Sequence, residues 1–191
     1  AAPIYQEMAE RHRYQHLVAY SRELPDRWRE RLQDAARRYP VLRPVQVQEG
    51  SVNWVREVRK VLTGEAVIRD TMVFAFRVDD DDLLAVDFLD RVAPQVTPAH
   101  HGYAISMARG YAALYEDGHY SDVRHYRQLL RSMGQGAIGM WHAARKDLEL
   151  TVVKNHNQTY RIRTVLLDGS RPTWLETRLS GHDTAVGERD D

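Results

Sequence analysis

Hydrophobic and polar positions change their period several times along this chain, and the changes divide it. From Tyr5 to Tyr39, the residues Met8, Leu17, Val18, Tyr20, Trp28 and Leu32 recur among Arg, Glu, Gln and Ala. That spacing predicts two amphipathic helices, broken at Leu24-Pro25-Asp26 and closed by Pro40 and Pro44. Residues 51–77 turn to alternation around Thr63-Gly64, which predicts a hairpin with strands near 51–62 and 66–76. Asp79 to Asp82 precede Leu83, Leu84, Val86, Phe88 and Leu89, and read as the N-cap and first-turn charges of a helix rather than as a metal site. Residues 103–114 and 121–133 predict two further helices on either side of Glu116-Asp117-Gly118, and residues 148–154 predict a strand.

The segment 160–179 carries the strongest local signal. Two alternating runs flank Asp168-Gly169, a dipeptide suited to a two-residue hairpin turn. Strand parity places Arg161, Arg163, Val165 and Leu167 on one face, with Glu176 opposite Arg161 or Arg163 according to loop length. In the earlier hairpin, the same parity puts Arg56 beside Trp54 and Val58 and opposite Thr71. An arginine among apolar side chains needs a carboxylate, from Glu176 or from a ligand, because an unpaired buried charge is expensive. Two readings stay open: a cross-strand ion pair at a solvated rim, and an anion pocket with an acid beside it.

Composition narrows the classes. The chain has 191 residues, enough for one domain with a sizeable core. Its 27 Lys and Arg balance its 27 Asp and Glu, so no overall basic field speaks for nucleic acid or an anionic membrane. There is no cysteine, which removes disulfides, thiol catalysis and cysteine zinc sites. His100-His101 has no third ligand at helical spacing, and Gly134 to Trp141 lacks the pattern of a dinucleotide loop or a P-loop. No apolar run approaches the roughly 18 residues of a membrane span, so a soluble cytoplasmic protein is expected, with no cofactor and no metal.

Trp54-Val55-Arg56-Glu57-Val58 with Gly64-Glu65, then Ala137-Ile138-Gly139-Met140-Trp141, then Tyr160-Arg161-Ile162-Arg163, Asp168-Gly169 and Trp174-Leu175-Glu176 follow one another in an order that resembles the chorismate lyase family. The resemblance implies a single α+β domain over 1–191: an antiparallel sheet of about five or six strands with helices on one side. Helical segments at 1–44 and 78–133 and a tail at 181–191 would be additions to it. It implies a lyase that releases pyruvate and a hydroxybenzoate from chorismate or a similar enolpyruvyl acid. Arg56 would hold a substrate carboxylate and Glu176 would assist loss of the enolpyruvyl group. Arg161, Arg163, Thr71, Ile138 and Gly139 would line the same pocket. Ala137, Asp70 and Phe74-Ala75 depart from the family pattern. The alternative within the same fold is a non-catalytic domain that binds a small anionic effector, and a third class is an interaction protein that uses the extra helices.

Overall fold

The computed structural model describes residues 1–47, 53–130, 132–151, 159–160 and 164–179. Helix α1 (Ala2–Arg11) is followed by β1 (His16–Ser21), α2 (Asp26–Arg38) and β2 (Leu42–Val47). β1 and β2 pair in parallel, from His16 opposite Leu42 to Ser21 opposite Val47, so α2 is the crossover between them. The sequence led us to expect two helices here. Leu17, Val18 and Tyr20 fit a helical interval by chance, and the β-branched Val18 and aromatic Tyr20 suit the parallel strand they occupy instead.

Helix α3 (Trp54–Gly64) replaces the strand expected at 51–62. Its N-terminus is capped by Asn53, whose Oδ1 accepts from the Arg56 N–H at 3.0 Å. Trp54, Val58, Val61 and Leu62 recur at three- and four-residue steps, and Glu57 and Val61 are the positions it buries. The alternation of Trp54, Arg56 and Val58 was a weaker reading of the same letters. Thr63-Gly64 ends the helix and turns no hairpin.

Two larger sheets follow. The first runs in the order β10 (Val165–Asp168), β5 (Ala104–Met107), β8 (Gly136–His142), β3 (Thr71–Phe76), with β9 (Asp147–Glu149) also on β8. The second runs β4 (Leu83–Leu84), β11 (Trp174–Leu179), β6 (Arg109–Glu116), β7 (His119–Arg127). Residues 78–133 therefore hold four strands and the short α4 (Phe88–Val92) rather than a helical insertion. All four residues of β5 are buried between neighbours, so burial does not alternate along the strand. The fold is α+β, but β1/β2 form a parallel two-stranded sheet and β5/β10 and β6/β11 are parallel pairs within mixed sheets, where an antiparallel sheet was expected.

The two Asp-Gly dipeptides exchange the roles the sequence suggested. Asp117 and Gly118 have φ of 48° and 83°, the left-handed pair that a two-residue hairpin needs, and they join β6 to β7. Gly169 has no such φ, and β10 does not pair with β11. Instead both continue in one direction: β10 runs beside β5, and β11 beside β6. The pairing offset rises from 61 residues, at Val165 and Ala104, to 64, at Leu175 and Tyr111, so the link around Gly169 carries three extra residues.

Those extra residues close around Arg91 of α4. Its Nε and Nη2 donate to Asp168 Oδ2 at 3.1 and 2.5 Å, its Nη1 to Thr173 Oγ1 at 2.7 Å and the Arg171 carbonyl at 3.3 Å, and its Nη2 also to Ser170 Oγ at 3.1 Å. Asp168 in turn accepts from the Ser170 N–H at 2.9 Å. This Asx turn consumes the carboxylate that a tight hairpin would have left free. Trp174 follows, with its indole N–H on the Met107 carbonyl at 2.9 Å and its ring against Gly110, where a Cβ would collide with it. The core gathers Tyr5 and Met8 of α1, Phe88, Leu89 and Val92 of α4, and Ile105, Met107, Ile138 and Trp174 of the sheets. Among the described residues, no helix is long and apolar enough to cross a membrane.

Candidate functional site

Strand β3 ends at Phe76 and the chain then bends through Asp79, Asp80, Asp81 and Asp82 before the two-residue β4. This acidic run is a turn; the helix whose first turn it was expected to form starts only at Phe88, with Asp87 as its N-cap. Asp79 is fixed on both carboxylate oxygens, by Arg77 Nη2 at 3.0 Å and by Ser132 Oγ at 3.2 Å. The Asp82 N–H closes the turn on the Asp79 carbonyl at 3.2 Å. Asp80 is exposed and Asp81 half-buried, while Asp82 is only 6% exposed.

Four carboxylates crowd this end of the sheet. Burial pushes the Asp82 carboxyl up to about 7, and the charges of Asp81 and Asp79 push it the same way. A hydrogen bond from the Thr177 N–H pulls it down, and Glu176 on β11 adds a further upward push. Burial, with a smaller push from Asp82, raises the Tyr5 hydroxyl to about 12. Behind the turn, Tyr14 stacks on Phe76 at 5.7 Å, Tyr5 stacks on His16 at 4.2 Å, and Tyr14 Oη lies 2.5 Å from His16 Nδ1. Burial lowers His16 to about 4, so this imidazole is neutral at physiological pH.

A groove of about 610 Å³ is lined by Leu129, Leu130, Tyr160, Thr164, Val165 and Leu167. Leu130 lies two residues from Ser132, the partner of Asp79, and Tyr160 follows Thr159, which donates to Gln135 Oε1 at 3.2 Å. The Gln135 carbonyl accepts from the Arg77 N–H. The residues 132–135 thus tie the groove wall to the acidic turn.

The residues singled out from the sequence are dispersed over several elements. Arg56 sits on α3 with its side chain 66% exposed and its Nε on Glu57 Oε1 at 3.1 Å. Glu57 is the buried acid of that helix, held below its ordinary value first by the hydrogen bond from Lys60. Glu176 is on β11 beside Arg178, 3.4 Å from its Nε, and shares its face with Trp174, as strand parity required. No hydrogen bond or ion pair joins Arg56 to Glu176 among the described residues; the parity that would have joined them dissolves because α3 is a helix. Thr71 donates to the Arg69 carbonyl. Ile138 is 1% exposed in the core, and Gly139 is a point of close backbone approach, where a Cβ would strike the Glu149 carbonyl. Arg161, Arg163 and the tail 181–191 lie outside the described residues.

Comparison with known families decides between readings of this geometry. A family model described as "Putative rhamnosyl transferase" matches residues 11–188. The chain belongs to this family. No curated protein and no solved structure matches it. Membership in the rhamnosyl transferase family overturns the likeness to chorismate lyase, and with it the lyase activity, the pyruvate product and the related effector-binding alternative. The shared letters were short and common, and the W-x-R-E segment among them lies on a helix. The acidic turn was visible in the sequence as four aspartates that follow the strand-like Thr-Met-Val-Phe-Ala-Phe after Arg77 and Val78.

Proposed function

We propose that this chain transfers a glycosyl unit, a rhamnosyl residue by its family, from a nucleotide-activated donor, with the leaving diphosphate bound at the turn Asp79 to Asp82. Family membership supports the reaction class. The observation that carries the location is the crowding of four aspartates, one of them buried and pushed up to about 7, at the end of β3.

In such a transfer an acceptor hydroxyl oxygen bonds to the anomeric carbon while the bond from that carbon to the diphosphate oxygen breaks. The electron pair leaves on the phosphate oxygen, and the hydroxyl proton passes to a base. A diphosphate beside aspartates is repelled unless a cation lies between them. Among the described residues no three acidic or histidine side chains form a ready metal cage. One or two carboxylates together with substrate phosphates are what Mg²⁺ ordinarily uses, and the turn offers that number in Asp79 and Asp81. A divalent ion held there would neutralise the charge that develops on the leaving diphosphate. The protein's own part is positional. Arg77 and Ser132 fix Asp79, the Thr177 N–H fixes Asp82, and the backbone bond from Asp82 to Asp79 keeps the turn closed.

Calorimetric titration with GDP, UDP and dTDP, each in Mg²⁺, Mn²⁺ or EDTA, tests this. One nucleoside diphosphate is expected to bind only with the divalent ion, and Asp81→Asn is expected to weaken it by roughly tenfold or more, the loss of one charge-assisted contact. Absence of binding by all three nucleotides in both metals overturns the proposal.

A further inference from the structure

We infer that the outer face of the β6–β7 hairpin is the acceptor platform of this transferase, and that it takes a saccharide chain; this rests on the glycosyl-transfer reading above. The face is aromatic. Tyr111 pairs across the strands with His125, ring centroids 5.7 Å apart, and Tyr115 with Tyr120, 4.9 Å apart. Tyr111 is 41% and Tyr120 47% exposed, and every residue of β7 but Tyr126 is exposed. Arg109 lies at the same end, its Nε on His125 Nε2 at 3.2 Å. On β6 the opposite face is closed at Gly110, where the Trp174 ring packs.

The register links this platform to the acidic turn. Leu83 on β4 pairs with Leu175 on β11, Leu175 with Tyr111, and Tyr111 with His125. Paired residues share a face, so one row crosses the sheet from the residue after Asp82 to the exposed rings. Three strand spacings make that row about 14 Å wide, and the four steps from Tyr111 to Tyr115 make the strip about 13 Å long. A bound acceptor must bridge that width to bring a hydroxyl to the turn, which favours a chain of several sugars over a single one.

The composition of the strip selects the occupant. A pyranose presents C–H groups on its faces and hydroxyls at its rim. Tyr and His rings offer the matching apolar faces with polar edges. A second copy of this chain adding a strand to β7 is disfavoured, since the β6–β7 ladder breaks register between Ala112 and Leu114 and Asp122 has a φ of 47°. Bulged edges of this kind resist strand addition.

The test titrates the full chain with L-rhamnose, an α-linked rhamnose disaccharide and an α-linked rhamnose tetrasaccharide, followed by saturation-transfer NMR and calorimetry. Affinity is expected to rise with length, and Tyr111→Ala and Tyr120→Ala are each expected to weaken the tetrasaccharide roughly three- to tenfold. Both residues are exposed, and thermal melts check that the variants fold. Nucleoside diphosphate binding should be unchanged in both, which separates this inference from the donor site: loss of donor binding in the wild type leaves the platform standing. Tetrasaccharide binding that is absent, or equal in wild type and variants, overturns it. So does a concentration-dependent dimer in sedimentation that Tyr120→Ala abolishes, since the face is then a contact between copies.

Discussion

Asp82→Asn is expected to stabilise the protein at pH 8 and to make it acid-sensitive. The carboxyl moves from an ordinary 3.8 to about 7 on folding. At 1.36 kcal/mol per unit, ionised Asp82 costs the fold roughly 4 kcal/mol at pH 8. A raised carboxyl contributes stability that is full below its unfolded value and is lost as the pH rises through about 7. His16 works in the opposite sense: its value falls from 6.5 to about 4, so its contribution is full above 6.5 and is lost as the pH falls toward 4. Between pH 6.5 and 5 the two slopes cancel in the wild type, each near 2 kcal/mol. Asparagine keeps an acceptor for the Thr177 N–H and removes only the Asp82 slope. Urea unfolding at pH 8, 6.5 and 5, in EDTA, should therefore show a nearly flat wild type from 6.5 to 5 and a variant that loses about 2 kcal/mol. At pH 8 the variant should unfold at higher urea. A variant less stable than wild type at pH 8, or one whose profile runs parallel to it, would refute the picture of a buried, charge-crowded carboxylate.

Two further outcomes follow from the link between the sheets. Arg91→Ala leaves Asp168 without its cation; because Asp168 is one-third exposed, the expected loss is about 2–3 kcal/mol rather than the full cost of a buried ion, read from the thermal midpoint. The Asp168 carboxyl, which burial pushes up and which hydrogen bonds from Ser170 and Arg91 hold below its ordinary value, should titrate higher in that variant by NMR. The two Asp-Gly sites separate cleanly: Gly118→Ala should cost about 1–2 kcal/mol, since Ala is strained at φ 83°, whereas Gly169→Ala should be close to neutral, its Cβ meeting only ordinary contacts.

What could be read from the sequence was local chemistry, and what could not was its assignment to partners. The Asp-Gly rule was sound, yet it applied to Asp117-Gly118, because Ser170 and Arg91, one of them 77 residues away, claim the Asp168 carboxylate. Strand parity placed Glu176 beside Trp174 correctly, since β11 is a strand, and misplaced Arg56, since the same alternation belongs to α3. β5 was read as a helix because burial does not alternate along it, as it does along a half-buried strand. The aspartates of the candidate site were visible from the start; their meaning depended on whether a strand or a helix adjoined them, and β3 supplies the strand.

The running of β10 and β11 alongside β5 and β6 also sets a timetable for assembly. Each covering strand is synthesised 61 to 64 residues after the strand it covers. At ribosomal rates of about 5–20 residues per second, β5 and β6 wait roughly 3–12 s for those neighbours. Closing so long a loop costs little more free energy than closing a short one, so the delay bears on rate and not on final stability. During that interval the flank of β5 that β10 will cover has its backbone groups unpaired, so the nascent chain carries an open strand edge before the residues that seal it exist.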